Sequence, residues 1–460
     1  MPLLIRNGQV VTSADVFGAD IYCEGETITR MGPRLDAPPS ATVIDAAGKF
    51  VFPGFIDPHV HIYLPFMGTY AKGTYTTESK AALFGGTTTL IEMICPSRTD
   101  EPLAAFELWK SNAVGKSACD FTFHMGATRF DALAESQLKE IVSAGISSFK
   151  IFLAYKGAFG VDDAELFAIL RLAKSLGVIV TAHCENADAI AAKQRELIAA
   201  GKTGSEWHEP SRPESVETLG VHHLMTFAAM HGTDCYIVHT SCEPAVRAAL
   251  EARARGVTVW IETLIQYLTL DKTWAELPDF EGSKFVMSPP LRDKSNQQFL
   301  WNNLANGSIS TVATDHAPFD FKGQKEMGRA NFTLIPNGIP SLEDRVSVLY
   351  NTGVKTGRIS LNRFVDCGST QAARLFGLYP RKGAIAVGSD ADIVVFDPKY
   401  KRTISARSHH MAVDYNPFEG MAIEGRAETV TVRGKIMVRS GEFVGDSEHG
   451  KFLEREPTHF

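Results

Sequence analysis

The chain has 460 residues, 44% of them hydrophobic and 22% charged, with a formal net charge of -7. That length exceeds one small core, and the composition excludes a disordered or fibrous chain. An acidic balance without a lysine- or arginine-rich run argues against nucleic acid or an anionic membrane as partner and leaves a small molecule.

The first residues, "MPLLIRNGQVVTSADVFGAD", carry no charged-then-apolar leader pattern, and no apolar run is long enough to span a bilayer, so a cytoplasmic protein is expected. "LLIRNGQVVT" reads as two short strands joined by an Asn7-Gly8 hairpin turn, and "ADIYCEGETITRMG" continues the β texture. The same texture returns in "GSDADIVVFDP" and "ETVTVRGKIMVRSGEFV". Residues 1–52 and 381–445 are therefore expected to build one small β-sandwich domain together, with 446–460 as a tail that could be frayed or could meet a neighbouring subunit.

Between these ends strands and helices alternate. In "DDAELFAILRLAKSLGVIVTAH", Asp162 or Asp163 caps a helix with Leu166, Ile169, Leu170 and Ala173 on one face, Gly177 stops it, and "VIVTAH" follows as a buried parallel strand. "EPAVRAALEARARG" and "VTVWIET" repeat the unit. This predicts an α/β fold with a (β/α)₈ barrel over 53–380. Seven scattered cysteines without CxxC spacing read as small buried hydrophobes.

"FPGFIDPHVHIYLPF" places His59 and His61 two apart, on one side of an extended segment, where both reach a single metal ion or simply hydrogen-bond in a loop. His183 closes "VIVTAH", His239 closes "CYIVH" and Asp315 closes "ISTVATD". In a barrel such strand ends converge on the C-terminal face, where catalytic groups sit, and imidazole with carboxylate suits zinc and its first-row neighbours. Lys150 stands inside the apolar strand "GISSFKIFLAY". Its charge is costly there unless it snorkels to an edge or is removed; as a carbamate it would be an anion able to bridge two metals.

With "GGTTT", "SSFKIFLAY", "TAHCEN", "SPPLR", "TDHAPF" and "IPNGIP" following in order, the chain resembles the D-hydantoinase and dihydropyrimidinase family of cyclic amidohydrolases, in the amidohydrolase superfamily, over nearly its whole length. The resemblance implies two divalent metal ions, with zinc expected and manganese or cobalt as alternatives. His59, His61 and Asp315 would hold one and His183 and His239 the other, bridged by carbamylated Lys150 and a hydroxide. It implies attack of that hydroxide on a ring carbonyl, proton transfer through Asp315, oxyanion stabilisation by Tyr155, main-chain contacts from Ser288 and Asn337, and a homotetramer. The product would be an N-carbamoyl amino acid.

Dihydroorotases commonly carry arginine two positions after the second histidine, for a substrate carboxylate; Tyr63 stands there, which favours a neutral ring. Tyr63, Leu64, Phe66, Met67 and Tyr70, with Phe152 and Phe159, could line a pocket for its substituent or pack within loops. Family members commonly have cysteine at Ala317, which bears on local packing. An allantoinase-like enzyme is the alternative substrate reading. A non-catalytic, collapsin-response-mediator-like binding protein is the alternative class, and the full ligand set weighs against it, as Lys150 weighs against a single-metal deaminase. His222-His223 and His409-His410 read as surface or interface pairs, His316 as a supporting residue, and Asp57 and Glu185 as local turn or capping residues.

Overall fold

In the computed structural model, which describes residues 2–458, eight parallel strands form a barrel. They are β1 (Phe55–Val60), β2 (Thr87–Ile94), β3 (Asp120–Gly126), β4 (Ser148–Phe152), β5 (Ile179–His183), β6 (Cys235–Ile237), β7 (Val259–Leu264) and β8 (Thr311–Ala313). Each pairs with its successor, and the ring closes where the His61 N–H donates to the His316 carbonyl at 2.7 Å. The strands are buried on both faces, as their apolar sequences require.

The helices between strands follow the expected local chemistry. Helix Asp163–Leu176 starts at Asp162, whose carboxylate accepts from the Glu165 N–H, and ends at Gly177 in the left-handed region (φ 66°). Such a cap stabilises a helix by about 1 kcal/mol. Leu166, Ile169, Leu170 and Ala173 are buried against the barrel.

Both chain ends share a second unit. One sheet orders Thr27–Gly32, Asp20–Glu24, Leu3–Arg6 and Thr42–Asp45; a seven-stranded sheet contains Phe50–Pro53 paired antiparallel to Ile393–Thr403. Leu3, Ile5, Ile21 and Ile44 from the first sheet join Val10, Val51, Ile393 and Val395 from the second in one buried cluster. The Asn7-Gly8 turn is present, with Asn7 at φ 62°, but it does not make a hairpin. Leu3–Arg6 pairs in one sheet and Gln9–Val11 in the other, so the turn passes the chain between layers.

Gly54 joins the sandwich strand Phe50–Pro53 to β1. A Cβ there would lie 2.0 Å from Thr88 Oγ1, so only glycine allows the two units to approach this closely. The seam is also charged: the buried Lys382 ammonium meets Asp120 (2.6 Å), Asp392 (2.8 Å) and Asp390 (2.9 Å). The tail runs along its own barrel. Phe121 and Leu453 N–H groups bond to the Lys451 and Phe121 carbonyls, and buried Arg455 donates to Thr122 Oγ1. The predicted tail's last two residues, 459 and 460, lie outside the described residues.

Candidate metal centre and substrate cavity

Strand geometry brings the singled-out polar residues together. His59 lies within β1 and His61 just beyond it, Lys150 points inward from β4, and His183 ends β5. His239 and Asp315 stand two residues past β6 and β8 rather than at their ends, with φ of 40° and 49°. These bends re-aim both side chains into the cavity instead of along the strands. Together with Tyr155, Ser288, Asn337, Leu64, Phe66, Phe152 and Phe159 they line one cavity of about 450 Å³, joined by Cys95, Ala317 and Gly338.

Asp315 Oδ1 is 3.0 Å from His59 Nε2 and 3.2 Å from His61 Nε2, and one ligand atom from each falls within 4.8 Å of the others. The His183 and His239 rings pack with centroids 4.6 Å apart, and His239 is 5.4 Å from His59. His59 Nε2 and Lys150 Nζ are buried without a hydrogen-bond partner among the described residues. His59 Nε2 nevertheless lies 3.0 Å from Asp315 Oδ1, an ion-pair approach. Orphaned buried donors of this kind fit a divalent cation.

Electrostatics agree with that fit. Burial lowers the pKa values of His183, His239 and Lys150 and brings His61 down to about 4, which favours the unprotonated forms a metal ion needs. At His59 burial acts the same way, but Asp315 and Glu262 outweigh it and raise the value to about 9. For Asp315, burial pushes the carboxyl up, and His59 and His61 overcome it, holding it well below the usual range. Burial raises the Tyr155 phenol, which therefore stays a donor at neutral pH.

Carboxylates behind the histidines set their orientation. Glu262 in β7 accepts at 2.8 Å from both His59 Nδ1 and the His239 N–H. Glu185 is 2.8 Å from His183 Nε2 and is gripped by Arg212 Nη2 at 2.7 Å, so it is a long-range support and not the local cap expected. Asp57 does accept locally from the His59 N–H, and it also ties β1 to β8 through the Thr314 hydroxyl at 2.6 Å. His316 sits behind the site with Nε2 on Glu78 at 2.9 Å.

Phe66, Phe152, Phe159 and Tyr155 pack edge-to-face or offset with centroids between 5.3 and 6.4 Å, beside buried Leu64. Tyr63 and Tyr70 are not among them. Tyr63 turns onto Trp109 (4.9 Å) and Tyr70 (5.8 Å), its backbone N–H held by Glu92 at 2.6 Å. Met67 lines a neighbouring groove instead. Asn337 Nδ2 donates to Ser288 Oγ at 2.9 Å, and both residues line the cavity with Tyr155. His223 pairs with Asp163 near the surface, and His410 stacks on Phe84 beside Glu343, both remote from the cavity lining.

Glu262 and Cys95 were not foreseen. A glutamate in the apolar run "VTVWIET" was the available signal for the first, whereas Cys95, whose Sγ is 3.8 Å from His61 Nδ1, resembles the other buried thiols in sequence.

A parallel barrel whose strand ends gather histidines, an aspartate and a partnerless lysine around one cavity defines a hydrolase of the metal-holding barrel class. The chain belongs to the amidohydrolase family, whose model matches residues 50–437. It is 47% identical over 457 residues to a D-hydantoinase of Geobacillus stearothermophilus, covering 99% of this chain and 97% of that one. It is 40% identical to a dihydropyrimidinase of Rattus norvegicus, covering 99% and 89%. A solved D-hydantoinase (dihydropyrimidinase) from Thermus sp. superposes with a TM-score of 0.98 at 60% identity, covering 100% of both chains.

Proposed function

We propose that the protein hydrolyses the ring amide of 5-substituted hydantoins and of dihydropyrimidines to N-carbamoyl amino acids. The observation that carries this reading is the convergence of the donor set, the aromatic wall and two partnerless buried nitrogens on one cavity. Full-length similarity to proteins named for both activities supports it. His59, His61 and Asp315 would hold one divalent ion and His183 and His239 a second, with Lys150 as a carbamate between them; zinc is our reading of the metal. Such ions, when bound, would supply a water made nucleophilic near neutral pH.

The chain's own residues do the rest. Burial lowers the Lys150 pKa and so favours the neutral amine, the form that adds to CO₂ with loss of a proton. As water adds to the ring carbonyl carbon and the ring C–N bond breaks, the Asp315 carboxylate takes the released proton and delivers it to the leaving nitrogen. The Tyr155 phenol donates to the carbonyl oxygen as negative charge builds, a contribution of about 3 kcal/mol. Main-chain groups of Ser288 and Asn337 hold the ring amide, and Leu64, Phe66, Phe152 and Phe159 receive the substituent. Residues 53–380 form the catalytic unit in this reading, within a cytoplasmic homotetramer.

The test is ring opening of hydantoin, D- and L-5-substituted hydantoins, dihydrouracil and allantoin by metal-repleted protein, with Lys150→Ala alongside. Turnover of a 5-substituted hydantoin or dihydrouracil, lost in the variant, is expected. Turnover of allantoin alone would transfer the assignment to that ring, and no turnover by folded, metal-loaded protein would overturn it.

A further inference from the structure

Lys325 is wholly buried, yet among the described residues no carboxylate meets its ammonium; its hydrogen bonds go to three backbone carbonyls, Pro336 at 2.6 Å, Gly338 at 2.7 Å and Val286 at 2.8 Å. Burying a cation against carbonyl dipoles alone costs stability, so an apolar residue would be the cheaper choice if filling space were the only need. Burial lowers the pKa of this amine well below the usual lysine value, but three acceptors around one nitrogen fit the ammonium form, since only that form has three donors.

The three carbonyls belong to two segments remote in sequence, 286–288 and 336–338, that carry Ser288, Asn337 and Gly338 into the cavity. The Gly338 N–H also donates to the Val286 carbonyl at 3.0 Å, and His208 Nε2 lies 2.8 Å from the Met287 carbonyl. The ammonium thus occupies the crossing point of the two loops, directly behind the groups that line the cavity with Tyr155.

We propose that Lys325 is a positioning residue: its ammonium clamps the loops of Ser288 and Asn337 at the spacing needed to grip a cyclic amide. The clamp rests on the ring-hydrolase reading for its substrate, and on geometry alone for its mechanical effect. A residue that fixes binding groups without touching the reacting atoms raises KM when lost more than it lowers kcat.

Lys325→Met, similar in length and apolar, removes the donors; Lys325→Gln keeps two. In Lys325→Met, KM for a 5-substituted hydantoin should rise about tenfold, the equivalent of one lost hydrogen bond to the ring, with kcat within about threefold and metal content unchanged. Lys325→Gln should recover part of the KM. Amide hydrogen exchange should quicken in residues 286–290 and 335–340 of the methionine variant without a matching change in the barrel strands. An unchanged KM with unchanged exchange overturns the clamp, as does failure of both variants to fold, which would assign Lys325 to core stability. If the wild-type protein opens no ring, the function reading fails by itself and the exchange result still decides the clamp.

Discussion

Two buried charged clusters in this molecule look alike by composition and behave oppositely. At the barrel–sandwich seam, Asp120, Asp390 and Asp392 are close enough to hold an ion, but the Lys382 ammonium already stands among them, and the Arg433 backbone N–H donates to Asp392. On the cavity floor, His59, His61 and Asp315 are equally close, while the lysine nearby, Lys150, makes no hydrogen bond among the described residues and has only the Phe152 ring, 4.9 Å away, beside its nitrogen. The seam is a closed set in which all three carboxylates share the Lys382 ammonium and Asp120 also meets the Arg433 guanidinium. The floor is an open set, completed from outside. A buried acidic cluster therefore identifies a metal site only when its donors are left over after the protein's own cations are counted.

Variants can break this contrast. The largest effect is expected on the floor: Lys150→Met should lower turnover at least about a thousandfold, while its unfolding temperature, measured without added metal, should not fall below that of the wild type, because the buried methylenes are kept and only an amine without a hydrogen-bond partner among the described residues is removed. Lys382→Met should do the reverse. It removes the ammonium shared by three carboxylates, of which Asp120 keeps the Arg433 guanidinium, and should cost about 3–5 kcal/mol in denaturant unfolding, with kcat/KM of the remaining folded enzyme within about twofold. If Lys382→Met instead took up a divalent ion and recovered its stability, the two clusters would be interchangeable and the contrast one of occupancy.

Smaller changes sharpen it. Tyr155→Phe should lower kcat about a hundredfold through the lost oxyanion donor, leaving metal content intact in elemental analysis. His208 gives the mildest probe, through pH. Burial brings its pKa down to about 3, so the folded protein keeps it neutral while the unfolded chain protonates below about 6.5. A depressed folded value means stability present above about 6.5 and lost as pH falls towards 3. The wild type should thus lose about 2 kcal/mol more than His208→Gln between pH 7 and pH 5 in thermal or urea unfolding.

Much of the floor was legible in sequence because metal-binding groups sit at strand ends, and strand ends can be read from apolar runs; His59, His61, His183, His239 and Asp315 were found that way. Lys150 was legible for the opposite reason, as a charge where none should be. What escaped depends on which neighbour a residue meets. Glu185 looked local until Arg212 closed on it from 27 residues away. Tyr63 looked like pocket lining until Glu92 took its backbone N–H and turned the ring onto Trp109. Lys325 sits in "DFKGQKEMGRA", where nothing marks it from surface lysines. The Asn7-Gly8 turn was read correctly as a turn, yet a hairpin and a sheet-to-sheet crossing share the same dipeptide, and only pairing distinguishes them.

The pairing of Phe50–Pro53 with Ile393–Thr403 also constrains how the protein is made. A ribosome delivering about 5–20 residues per second needs tens of seconds to supply the second strand after the first has emerged. Throughout that interval Phe50 and Phe52 belong to an open strand edge, while the barrel between the two partners is being completed. The sandwich, although it begins at the first residues of the chain, is finished after the barrel, so a nascent product cut between the last barrel helix, which ends at Leu375, and residue 393 holds the barrel strands joined to an unfinished and adhesive sheet.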